Sequence, residues 1–404
     1  MKKYIVILFC ILQFACGINN RKDLTEISAE SFFTINYEQA LENKKELRLS
    51  EIASDVEYVR LETNDSCLLR PVVNYFFTDS LIFVQNFDHI LKFSRNGKFI
   101  QKIGKPGRGP GEIDLIRIMS LLPEKKLIVI QLNYQRKLYY MSYEGKILNI
   151  VDFEKPISYV KVCPDGKYIL HERGAEGYEK YSFCLTSEKW DTLSRVKNYM
   201  NWENKSGMVI SIGYPSFQSF YLSGDRMYMK DMYNDTVYST DADRICPAYY
   251  IDLGKYRLPG DLRPEKLGVN GISQFNENGS KYYFATAHES AGRIFLATHS
   301  YRGAPSRYVL YDKSSGNATF LADGNDPAKG FLNDWDGIID FWPIGSINEK
   351  QVFMPVNVMD LQKLLSENTL KTAFYPEKQS QLKQMISQMD PGDNPVLMIV
   401  SLKK

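Results

Sequence analysis

The sequence predicts an all-β fold made of like units, short antiparallel meanders stacked against one another, and three observations carry that expectation. The first is the stretch Asp79–Glu112, where the apolar run Leu81 to Gln85 and the alternating runs His89 to Ser94 and Lys98 to Ile103 are joined by turn residues, Arg95-Asn96-Gly97 among them. The second is recurrence. Strand onsets at Leu81, Leu127, Tyr168, Met227, Ile294 and Val352 are spaced by 46, 41, 59, 67 and 58 residues. The first two spacings fit a four-stranded unit of about 40 to 50 residues, and the later ones fit the same unit carrying insertions. The third is composition: the 27 Tyr and 22 Phe, with Ile and Val, dominate the apolar runs, which favours strands. One meander cannot bury both of its faces alone, so like units stack around an axis or along a line. Length alone allows a closed ring, a β-propeller, of six or seven blades.

Taken in order, the chain opens on Met1 to Cys16, with Lys2 and Lys3 before an apolar run from Tyr4 to Leu12. This reads as an export signal, too short to remain as a membrane span. Leu12-Gln13-Phe14-Ala15-Cys16 resembles a bacterial lipoprotein signal, which makes Cys16 the expected lipidated residue. Residues 17–48 are polar and read as a leash, and residues 49–404 as the propeller. The half-exposed strand within Leu49 to Thr63 precedes the first complete meander and is a candidate for completing the last blade. Further meanders begin at Lys126, near Cys163, at Ser223 and at Gly292, and a partial sixth comprises Gln351 to Val356 and Pro395 to Leu402. Two inserts interrupt them. Tyr256 to Ser280 is rich in Gly, Pro and Asn, whereas Met359 to Met389 has the composition of one or two helices. Leu382, Met385, Ile386 and Met389 stand at helical spacing, as a helix packed on the propeller's flank requires.

Charge and cysteine usage narrow the classes of partner. Removing residues 1–15 removes two lysines and no acid, leaving 48 basic against 48 acidic residues. No basic cluster gathers on a face, so nucleic acid is not an expected partner. Cys67, Cys163, Cys184 and Cys246 lie far apart, without a zinc spacing. Cys163 and Cys184 can pair if their strands are neighbours; four free thiols are the equal alternative.

Candidate sites are few. Gly104 to Gly111 has the glycine density of a phosphate cradle but lacks the Gly-Lys-Ser/Thr ending, and a rigid inter-blade connection explains it as well. Arg108 at its tip can still face an anionic ligand. His89, His171, His288 and His299 are scattered, and His89, His171 and His299 sit on or beside predicted strands where a backbone hydrogen bond explains them, so no metal-ligand set is assigned. Asp323 to Asp336 gathers four aspartates and two asparagines and leaves Ca²⁺ as the one cofactor to consider, without the register of a calcium loop. Trp335, Phe341 and Trp342 beside Asp336 combine rings with a carboxylate, as a carbohydrate site does; aromatic packing between blades is the plainer account. Trp190 and Trp202 flank a second such region.

Val56 to Thr63, Asn96 to Glu112, Asn234 to Gly254, Asp334 to Pro343 and Asn394 to Leu402, in this order and spacing, are similar to a family of six-bladed β-propeller lipoproteins. These are abundant in gut Bacteroidetes, are of unknown function and are distantly related to NHL-type propellers. The resemblance covers nearly the whole mature chain. It implies six blades of four antiparallel strands and lipid anchoring in the outer membrane, at its periplasmic or surface face. The functional expectation is a non-enzymatic envelope module that binds a protein or glycan partner at one end of the ring, touching membrane only through its anchor. The alternative is a metal-dependent lyase or lactonase-like hydrolase with an axial site; no Gly-x-Ser-x-Gly elbow is present.

Overall fold

A computed structural model describes residues 32–69, 72, 74–107, 109, 112–132, 135–153, 159–171, 179–199, 220–263, 272–367 and 370–403. Its strands form six antiparallel blades of four. The blades begin at Asn74–Phe77, Ile116–Leu122, Tyr159–Val162, Phe220–Ser223, Tyr283–Ser290 and Gly345–Asn348, and each of these is the innermost strand of its blade. In blades one to five the strands follow one another outward in chain order, and in blade six its three C-terminal strands do. The ring closes with Ala53–Arg60, which pairs antiparallel with Val396–Leu402 as the outermost strand of blade six. The closure strand expected near the start of the chain is therefore present.

Six buried apolar clusters sit at the six seams between neighbouring blades. Val59 and Leu397 of blade six meet Ile82 and Phe93 of blade one, for example, and Leu296 of blade five shares a cluster with Val237 of blade four. Every blade thus buries both faces against its neighbours. Burial on this scale, at about 1.5–3 kcal/mol per large apolar side chain, makes the ring one cooperative core.

Residues 33–60 form a belt, where a polar leash ending at residue 48 is expected. Phe33–Asn36 adds in parallel to the outer strand of blade four, Lys44–Lys45 to that of blade five, and Ala53–Arg60 then closes blade six. Ile35 and Tyr37 are fully buried, and the Tyr37 hydroxyl meets Thr298 Oγ1 at 2.8 Å. The belt covers sheet edges that would otherwise stand open.

Tight hairpins repeat one geometry. In Ser94–Lys98, Ser142–Lys146 and Cys163–Lys167, the first N–H donates to the last carbonyl and a glycine with positive φ donates back to the first carbonyl. Ser187–Asp191 has the same bonds with Trp190 at φ 69° in the glycine position, its ring stacked 4.4 Å from Tyr168. The helical insert of blade six is Val358–Ser366 and Pro376–Ser387; Leu382, Ile386 and Met389 are buried in the seam between blades five and six. All four cysteines of the described chain are free thiols, so Cys163 and Cys184 are not paired.

Candidate functional site

Antiparallel order makes the two ends of the ring different. Turns between the first and second strands of a blade, and between the third and fourth, fall at one end; all other connections fall at the opposite end. The first end holds the tight, charged hairpins, such as Arg95–Lys98, Pro123–Lys126 and Ala242-Asp243. The second receives every long connection, including the insert at 253–282 and the two helices of blade six. Exposed large apolar residues in connections also gather there: Phe87, Leu115, Tyr199 and Phe374 are 54%, 42%, 70% and 63% exposed. Among the described residues, none stands in a tight turn of the other end.

At the mouth of the axis, the short loop 86–89 of blade one is held firmly. Asn86 N–H donates to the His89 carbonyl, the Asn86 amide meets His89 Nε2 at 2.7 Å, and His89 Nδ1 meets Asp88 at 2.6 Å. Phe87 projects from this loop, and its carbonyl accepts Ile116 N–H at 2.6 Å, which sets it beside Leu115. An exposed apolar pair on two connections joined by that hydrogen bond is a preorganised contact surface.

The corresponding loop of blade four is anchored by buried charge. His171 Nε2 lies 3.2 Å from Asp231 Oδ2, and Tyr233 N–H donates to Oδ1. Burial opposes ionisation of Asp231, but His171 and the Tyr233 amide outweigh it and hold the carboxyl below its ordinary range. Asp235 bridges Lys230 at 3.6 Å and Arg257 at 3.1 Å; burial pushes its carboxyl up against the pull of both cations.

The innermost strands also carry Lys161 and Arg117, which the sequence pattern did not single out, and His288, which it did. Lys161, on the innermost strand of blade three, donates to the Met119 carbonyl of blade two at 2.8 Å and lies 5.4 Å from the Phe76 ring of blade one. Its side chain therefore reaches from blade three past blade two to blade one. Arg117 lies over Tyr159 at 4.7 Å, and His288 of blade five stands edge-on to Tyr221 of blade four at 6.2 Å.

The residues singled out beforehand are placed differently. Arg108 and Cys16 fall outside the described residues, as does Trp202. Trp335, Asp336, Phe341 and Trp342 come together, but buried in the core, at 6%, 0%, 0% and 6% exposure. Trp342 stacks on Tyr308 at 4.4 Å and Phe331 at 5.8 Å, and Trp335 packs on Tyr375 at 4.5 Å. These ring faces already have protein partners, which corrects the sugar-stacking expectation for this cluster. Asp336 accepts from Tyr58 at 2.7 Å and from Asn333 at 3.0 Å, and Asp334 accepts from Ser50 N–H at 2.9 Å. The acidic stretch thus holds the belt, and no group of three metal-ligating side chains forms among the described residues. The glycine-rich loop is tied by Glu112, which accepts from Gly109 N–H and pairs with Lys105 at 2.9 Å, as a rigid connection requires.

A closed ring of six four-stranded blades, sealed by an N-terminal strand and elaborated at one end, defines the class: a six-bladed β-propeller. The profile of a domain of unknown function, DUF4934, matches residues 32–401, and the chain belongs to that family. Among solved structures, a Bacteroides fragilis protein provisionally described as exported is 19% identical, with 93% of this chain and 100% of that one covered at a TM-score of 0.68. A member of the DUF4221 family from Bacteroides vulgatus is 14% identical over 89% of this chain and 98% of that one, at 0.45. Virginiamycin B lyase of Staphylococcus aureus is 9% identical over 86% and 99%, at 0.36. The first likeness bears on fold, and the other two carry no argument. No curated protein matches the chain.

Proposed function

We propose that this propeller is an exported, non-enzymatic module of the cell envelope that binds a protein partner at the loop-rich end of its ring. The observation that carries the reading is the contrast between the ends, charged tight turns at one and connections bearing the exposed Phe87, Leu115, Tyr199 and Phe374 at the other, with Phe87 on a hydrogen-bonded loop. Exposed aromatic and aliphatic anchors on rigid supports are what protein interfaces use at their centres. A protein is favoured over a glycan because the tryptophans that would stack on a sugar are packed inside the blades. Export and lipid anchoring at Cys16 rest on the signal-like Met1–Cys16, and the provisional description of the Bacteroides fragilis protein agrees with export.

The test is capture from solubilised envelope with the wild-type protein and a Phe87→Asp/Leu115→Asp variant, alongside a glycan array. A specific protein retained by the wild type and lost at least about tenfold in the variant is the expected result. Equal capture by both, or saturable glycan binding with no protein captured, contradicts the reading.

A further inference from the structure

The six innermost strands contain one carboxylate, Glu289, and it is bonded to Lys313 at 2.7 Å. The same strands contain Arg117, Lys161 and His288. Lys161 is the informative one. Its contacts are the Met119 carbonyl and the Phe76 ring, and no carboxylate among the described residues pairs with it. An ammonium has three N–H donors, and one carbonyl uses one of them. Lys161 is half-buried, so its cation bears a desolvation cost that a ring and a carbonyl offset only in part. Burial accordingly pushes the amine down to about 8.

We infer that the axial channel is a binding site for a small oxyanion, a carboxylate or phosphate group, held by Lys161 Nζ between blades one and three. The Met119 carbonyl fixes the direction of the ammonium, and the Phe76 ring lies beside it. The titratable group whose field reaches Lys161 is Cys163, and burial holds that thiol neutral by pushing it up to about 12. This site lies within the axis and is independent of the partner surface at the rim.

The test is thermal melting and calorimetric titration of the purified protein with acetate and with inorganic phosphate, chloride keeping ionic strength constant. A saturable rise in Tm at pH 7 is expected, weakened at least about tenfold in Lys161→Met, which keeps the side-chain bulk. Raising the pH to 9.5 weakens acetate binding to the wild type by about tenfold or more, because acetate keeps its charge while the amine loses its proton. Lys161→Arg removes that pH dependence. Equal responses in the wild type and Lys161→Met, no saturable response to either anion, or a flat pH profile in the wild type overturns the inference. Should Lys161→Met fail to fold, the pH arm on the wild type decides.

Discussion

His288 stands on the innermost strand of blade five, and burial draws its imidazole down to about 4, with a smaller contribution from His299. Between that value and the ordinary 6.5 the unfolded chain binds the proton that the folded chain refuses. The contribution of this group to stability is therefore full above about pH 6.5 and is lost as pH falls toward 4, by at most roughly 3–4 kcal/mol. His288→Gln is expected to shrink the difference in unfolding free energy between pH 7.5 and pH 4.5 by about 1–3 kcal/mol, measured by urea titration. An unchanged difference would place the acid sensitivity elsewhere. At this scale the sequence discloses residue type but not which way a ring faces. Trp335 and Trp342 have the composition of a ligand surface and the burial of a core, and only the closing belt, through Ser50 on Asp334 and Tyr58 on Asp336, decides between them.

Strands with alternation and a glycine hairpin are legible in the sequence, and these are the second, third and fourth strands of each blade. The innermost strands are not. Four of the six, Asn74–Phe77, Tyr159–Val162, Phe220–Ser223 and Gly345–Asn348, are four residues long, and each follows a long connection without hairpin chemistry. Near the axis a strand is surrounded by its own kind, so its pattern is neither clean alternation nor a long apolar run. Lys161 and Arg117 escaped notice for that reason. The belt was missed on different grounds: parallel addition to an outer edge needs few residues, and the apolar Phe32–Tyr37 stretch is too short to stand out within the polar leash. Its structural role is testable. Ile35→Ala is expected to cost about 2–4 kcal/mol in denaturant unfolding, because Ile35 is fully buried in the seam of blades four and five. A cost near zero would mean that residues 32–48 are a leash after all.

On the scale of the whole molecule, ring closure and the division of labour between ends follow from one fact, that the blades run outward in chain order, with blade six completed by the N-terminal strand Ala53–Arg60. Even numbers of antiparallel strands return every inter-blade connection to the same end, so insertions accumulate there without disturbing the core. The core supplies rigidity; the loop-rich end supplies variation. Long spacings such as the 67 residues between Met227 and Ile294 already signalled insertions, although their convergence on one end needed the strand order. The central claim is that partners bind at this end. The most direct measurement is hydrogen–deuterium exchange of the propeller with and without its captured partner. Protection confined to 86–89, the backbone around Leu115 and Tyr199, and 374–375 is the predicted footprint. Protection at the hairpins 95–98, 143–146 and 164–167, with the loop-rich end unchanged, would contradict it.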